Sequence, residues 1–279
     1  MRIKSIIFSA FKVQGRKMFG NTPEDRWQKI YPADKKGLCS WALRSLLIDD
    51  GQNLVLIDTG FSDMDRQVLE EYSIVNFKIA DKHIEDSGVP CETITHLLHT
   101  HLHVDHCGGS FKSDGKNNLV PSFPNASYIC SKQQLISASN PSSFEKDSFQ
   151  PEIISAFTAY SGLKQIETNC YLFPWLELRI FNGHTKGLLI PFIHFEERTL
   201  VFAGDLIPSA AHLVLESIMS YNIDLKISLK EQKVLLEEAA VKNYILFFQH
   251  DFLIECCSLK YDKGKIVPDK IFRVSELNI

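Results

Sequence analysis

Residues 100–106 read Thr100-His101-Leu102-His103-Val104-Asp105-His106, directly after Ile94 to His99, a run short and apolar enough to be a β-strand. Extended backbone turns His101 and His103 to the same side, so both can reach one metal ion. Asp105 and His106, on the turn into the next element, can then face a second. Imidazole together with carboxylate suits zinc, manganese, iron or cobalt, whereas an all-oxygen set would suit magnesium or calcium. The competing reading of such a run is a solvated histidine cluster. A position at the end of an apolar strand favours ligation, because a strand end holds side chains in a fixed place.

Four ligands do not satisfy two ions, so further His and Asp are expected at other strand ends. Gly183-His184-Thr185 follows the strand Leu176 to Phe181, Gly204-Asp205 follows Leu200 to Phe202, and Gln249-His250-Asp251 follows Tyr244 to Phe248. Glycine beside two of these ligand types permits close backbone approach.

Working outward, strands are expected at Ile3 to Val13, Trp41 to Ile48, Asn53 to Ile57, Ser127 to Cys130 and Leu188 to Phe195, with a hairpin turn at Asp49-Asp50-Gly51-Gln52. Helices are expected at Asp63 to Tyr72, Ala80 to Ser87, Lys132 to Ser139, Glu152 to Tyr160 and Leu229 to Lys242, the last opened by a capping-box spacing of Ser228 and Glu231. A final hairpin is expected around Asp262 to Lys265. Residues 14–38 read as a long irregular connection and a lid loop. Met18 and Phe19 in it would wall a substrate pocket for an acyl chain or aromatic ester, against the alternatives of a hydrophobic clamp or a dimer contact. Strand runs with helices around them indicate an α/β class of packed sheets covered by helices. No Gly/Ser-rich or Pro-rich linker interrupts residues 1–279, so one domain is expected.

The 279 residues are 44% apolar, enough for a sizeable core, and the formal net charge is -4 with both signs interspersed. That balance argues against a nucleic-acid partner, which needs a basic stripe. Met1 to Phe8 starts like a signal peptide, but Lys12, Gln14 and Arg16 break it, and it reads better as a first strand. No window approaches 18 consecutive apolar residues, so no membrane span is expected. Seven cysteines at irregular spacing look like reduced thiols of a cytoplasmic protein.

The order HxHxDH, GHT, GD and a late His resembles the metallo-β-lactamase-fold hydrolase superfamily over nearly the whole chain. Met18-Phe19-Gly20, Leu43 to Ile48, Ile57-Asp58-Thr59-Gly60, Phe123-Pro124-Asn125-Ala126 and Gly204 to Pro208 through Ala210-Ala211-His212-Leu213 resemble its quorum-quenching lactonase and phosphotriesterase branch. The resemblance implies an αββα four-layer sandwich, two mixed β-sheets packed face to face with helices outside. It implies His101, His103 and His184 on one ion, Asp105, His106 and His250 on the other, Asp205 bridging both, and a homodimer. In one departure, a group of acyl-homoserine lactonases carries Tyr three residues after the bridging Asp, where this chain has Pro208.

Two divalent ions sharing a water lower its pKa and supply hydroxide near neutral pH, while also polarising the substrate oxygen. Zinc is the first expectation, with manganese, iron and cobalt suited by the same donors. Asp105 and Asp205 are the expected catalytic side chains, Asp105 orienting the nucleophile or moving its proton. Asp58 would accept the second N–H of a ligand histidine, or else cap a turn. His212 would line the pocket or pack. Cys107 reads as packed rather than as a nucleophile or ligand, His96 and His99 read as packed, with a supporting place behind the ligand histidines as the alternative, and His83 and His194 carry no functional reading. The expected reaction is opening of a lactone or cleavage of a related small-molecule ester. Phosphotriester or phosphodiester hydrolysis is the alternative, and RNA processing is disfavoured by the charge balance. β-Lactam hydrolysis does not suit the cytoplasmic reading, and a flavodiiron-like redox role would want Glu where His103 stands.

Overall fold

Apolar runs bounded by turn residues become strands because their side chains alternate across a pleat with one or both faces buried. The computed structural model describes residues 1–64, 66–74, 77–116 and 118–277. The chain divides into two compact units, one of Met1–Ser9 with Leu43–Thr168, the other of Ala10–Ala42 with the residues from Asn169 onward. Composition marks no linker between them, which is why the sequence suggests a single domain.

The first sheet uses β1 (Arg2–Gln14), β2 (Leu38–Asp49), β3 (Leu54–Ile57), β4 (His96–Leu98), β7 (Ser127–Ser131) and β8 (Leu163–Ile166), in the order β1-β2-β3-β4-β7-β8. It is antiparallel at β2/β3 and parallel from β3 through β8. A separate hairpin pairs β5 (Phe111–Ser113) with β6 (Leu119–Pro121). The β2–β3 turn is closed by Asp50, whose carboxylate accepts from the Gln52 and Asn53 amides at 2.8 and 2.6 Å. Helices Lys132–Ser139 and Pro151–Ala159 lie where the sequence suggests. Of the helix expected at 63–72, Arg66–Glu71 is helical and Asp65 lies outside the described residues.

The second sheet holds β9 (Cys170–Phe173), β10 (Leu176–Phe181), β11 (Leu188–Phe195), β12 (Arg198–Phe202), β13 (Ile245–Phe247), β14 (Cys256–Asp262) and β15 (Lys265–Phe272), ordered β15-β14-β13-β12-β11-β10-β9. All pairs are antiparallel except β12/β13, which run parallel. Both sheets are thus mixed, and the chain is of mixed α/β class. Leu235 and Ala239 of helix Leu225–Lys242 close a core with Phe192, Val201, Leu246 and Cys257 of this sheet and with Phe248 just after β13. Burying each large side chain there contributes on the order of 2 kcal/mol.

Two expectations change. Helix Leu225–Lys242 starts four residues earlier than the Ser228/Glu231 spacing suggests, because Asp224 accepts from the Lys226 and Ile227 amides at 3.0 and 2.9 Å. Residues 14–38 are not irregular: they contain short helices Gly15–Phe19 and Glu24–Trp27. Phe19 is fully buried, its ring 5.5 Å from Trp27, 5.7 Å from Tyr31 and 5.7 Å from Trp41. This aromatic cluster fastens the segment within its unit. Among the described residues no helix is long and apolar enough to cross a membrane.

Candidate metal centre

Parallel pairing of β3 with β4 delivers both strand ends to one edge of the first sheet, and Asp58 N–H donates to Leu98 O at 2.9 Å. Asp58 has φ 60°, a left-handed conformation that Asp tolerates better than most residues. Its buried carboxylate accepts from Thr100 N–H at 2.8 Å, Thr100 Oγ1–H at 2.7 Å and His106 Nδ1–H at 2.9 Å. The ring proton of His106 therefore sits on Nδ1, and Nε2 presents a lone pair. Asp105 Oδ2 lies 3.5 Å from that Nε2.

His103 precedes the short helix Val104–Cys107 in extended conformation. Its Nε2–H donates to Glu145 Oε1 at 3.1 Å, which leaves the lone pair on Nδ1. The Thr100 hydroxyl proton is committed to Asp58, so its oxygen accepts from His101 Nδ1–H at 3.1 Å. The His101 lone pair is then on Nε2, and it faces His103 Nδ1 at 3.1 Å. Two lone pairs at that distance repel unless a cation lies between or beside them. His101, His103 and His106 are all buried.

The other unit repeats the logic. Parallel pairing of β12 with β13, extended by Ala203 N–H to Phe247 O at 2.9 Å, brings Asp205 and His250 to one sheet edge. Gly204 turns the chain there with φ 46°. His184 Nδ1–H donates to Asn222 Oδ1 at 2.9 Å, and His250 Nδ1–H donates to Ala42 O at 3.0 Å. The Nε2 lone pairs then face Asp205 Oδ2 at 3.1 Å and Oδ1 at 2.9 Å respectively. The His184 loop is held by Glu231, whose carboxylate accepts from Asn182 and Gly183 N–H at 2.8 and 2.9 Å. Burial pushes the Glu231 carboxyl above the ordinary range. A Cβ on Gly183 would collide with the backbone of Ser228.

Imidazole lone pairs fixed by their other nitrogens, with carboxylates aimed among them, make a donor set that fits a divalent first-row cation. Sulfur is outside this set: the Cys107 thiol donates to Leu102 O at 3.3 Å, and burial raises its pKa well above the ordinary thiol value.

The remaining sequence candidates are placed as follows. His212 is buried, with Nε2–H donating to Met18 O at 2.9 Å and Nδ1 accepting from Ser209 Oγ at 2.7 Å, and its ring stacks on Phe19 at 5.0 Å. Burial lowers its pKa to about 4. It borders a cavity of about 420 Å³ with Ile207, Leu213 and Leu236, while Phe19 borders another of about 440 Å³ with Arg26 and Leu225. Met18 is buried in the same unit. His99 packs edge-on against Phe157 at 4.8 Å and shares a hydrogen bond with Ser110 Oγ at 2.7 Å. Sequence reading does not reach Glu145 or Asn222, and it gives Glu231 only a helix-capping role. Only a polar residue in a stretch whose neighbours are exposed or loop-like marks them, and that signal is common to most of the surface.

A family model described as the metallo-beta-lactamase superfamily matches residues 44–250. Solved structures share the fold. A probable metal-dependent hydrolase from Staphylococcus aureus superposes with a TM-score of 0.85 at 20% identity, covering 98% of each chain. AbOPH, a hydrolase in the beta lactamase superfamily, gives 0.78 at 20% identity over 97% of this chain and 94% of its own. AidC, a dizinc quorum-quenching lactonase solved with a product, gives 0.77 at 20% identity over 97% of this chain and 95% of its own. No curated protein matches the chain.

Proposed function

Because this chain belongs to the metallo-β-lactamase superfamily and is a metal-dependent hydrolase of that family, we propose that it opens a lactone or cleaves a related carboxylic ester. The observation that carries the reading is the set of histidines whose tautomers are fixed by Asp58, Glu145, Asn222 and the Ala42 carbonyl, so that each keeps a lone pair for a metal. The proposed ligands are His101, His103 and His184 for one ion, Asp105, His106 and His250 for the other, and Asp205 for both. Zinc is the proposed metal, two ions per chain, in keeping with the donor types. The structural likeness to a lactonase described as dizinc supports this.

Bound divalent ions supply Lewis acidity toward the carbonyl oxygen and lower the pKa of water. The chain's own part is to hold the donors and to handle protons. Asp105 suits the second task, because its side chain is 21% exposed while that of the adjacent His106 is fully buried. A protein nucleophile is not required, in keeping with a Cys107 thiol held protonated by burial. All seven cysteines are free thiols, which supports a reducing, cytoplasmic compartment.

The test is metal analysis of the purified protein combined with initial rates on a homoserine lactone series, an aryl ester and a phosphotriester, for wild type and Asp205→Ala. Two metals per chain and lactone turnover abolished in the variant are the expected results. Metal without lactone or ester turnover would move the assignment to the phosphotriester, and a folded, metal-free, inert protein would overturn it.

A further inference from the structure

Residues 141–150 form a surface strap in which Ser142, Ser143, Phe144, Lys146 and Asp147 are exposed, and only Glu145 and Phe149 are buried. A 3-10 turn at Lys146–Ser148 holds the strap's course, with Ser148 N–H donating to Glu145 O at 2.9 Å. Both buried side chains end on one imidazole. Glu145 Oε1 accepts from His103 Nε2 at 3.1 Å, and the Phe149 ring meets the His103 ring edge-on at 5.0 Å.

Burying a carboxylate is expensive unless a charged or strongly polar partner compensates it, and an apolar side chain would fasten such a strap at lower cost. The Glu145 side chain is nonetheless only 4% exposed. What a carboxylate supplies and an apolar side chain does not is control of the imidazole: it fixes the proton on Nε2, turns Nδ1 outward as the donor atom, and makes that nitrogen more basic. We infer that Glu145 is a positioning residue for His103, fixing its tautomer and strengthening its Nδ1 as a metal donor. This rests on the proposal that His103 is a ligand. The strap thereby bears on the metal centre through Glu145 and Phe149, the two side chains that reach His103, although no residue in it is proposed as a ligand.

The test compares wild type, Glu145→Gln, Glu145→Ala and the neighbouring surface variant Lys146→Ala. Zinc affinity is measured by competition with a chromophoric chelator, and the ligand field by visible absorption of the cobalt(II)-loaded protein. Glu145→Ala is expected to weaken one zinc equivalent roughly 10- to 100-fold and to shift the cobalt bands. Glu145→Gln keeps the volume and an acceptor oxygen without the charge, so it should fall between Glu145→Ala and wild type, which a packing role would not produce. Lys146→Ala should match wild type. Equal zinc affinity and unchanged cobalt bands in both Glu145 variants would overturn the inference while leaving the metal site standing. A wild-type protein that takes up no divalent metal would overturn the hydrolase reading itself.

Discussion

His106, His184 and His250 each donate one ring proton to a fixed acceptor and turn Nε2 toward a carboxylate, whereas His212 uses both nitrogens inside the protein, one toward Met18 O and one toward Ser209. Ser209 Oγ accepts as well as it donates, so these two hydrogen bonds serve either charge state, and it is burial that favours the neutral ring. Burial is the main cause of a His212 pKa lowered to about 4 from 6.5. A histidine held neutral this way contributes stability that is fully present above its unfolded pKa and is lost as pH falls from 6.5 through 4. A shift of that size corresponds to about 3 kcal/mol. Urea unfolding between pH 7 and pH 4 should therefore show wild type losing about that much more stability than His212→Gln. Parallel curves for the two proteins would refute the assignment. The same scale shows what a sequence can display. Thr100 to His106 concentrates ligand chemistry in one run, and Asp58 is visible as an acid ending a strand. Glu145 lies in Ser142-Ser143-Phe144-Glu145-Lys146-Asp147, where nothing distinguishes a buried acid from its solvated neighbours.

Strands place the ligand types because parallel neighbours end at the same sheet edge: β3 with β4 for Asp58 and His101, β12 with β13 for Asp205 and His250. Those strands are legible as apolar runs with a ligand type at their C-terminal ends. Helix Leu225–Lys242 is legible in kind but not in its start, because Ser-x-x-Glu spacing at Ser228 and Glu231 imitates a capping box. Asp224 does the capping, and Glu231 instead holds the Asn182 and Gly183 amides ahead of His184. A local pattern was competing with a contact 48 residues away in sequence, which spacing alone does not reveal. Glu231→Ala would leave two amide donors without their acceptor, at a cost of about 1–3 kcal/mol for each group that stays buried. A lowered urea midpoint with unchanged slope is expected, partly restored in Glu231→Gln. An unchanged midpoint in Glu231→Ala would show that water satisfies both amides.

For the whole molecule, the α/β class follows from strand runs interleaved with helical stretches, and the family match from 44 to 250 draws on residues of both compact units. The division into units leaves no trace in composition, since neither Gly/Ser-rich nor Pro-rich sequence marks it. Global stability should instead reveal the proposed ions. Asp205 is 7% exposed and its oxygens face His184 and His250 at 3.1 and 2.9 Å. Without a cation the fold must hold these groups against their mutual repulsion or protonate one of them. An unfolded chain has no such geometry, so metal binds the native state preferentially. Free metal at about 1,000 times its Kd would then stabilise the protein by about 4 kcal/mol. Chelation should lower the thermal midpoint by on the order of 10 °C, and added zinc should restore it. A Tm that neither chelator nor zinc moves, in protein shown by metal analysis to be loaded at the start, would mean that the bound ions sit away from the native ligand set.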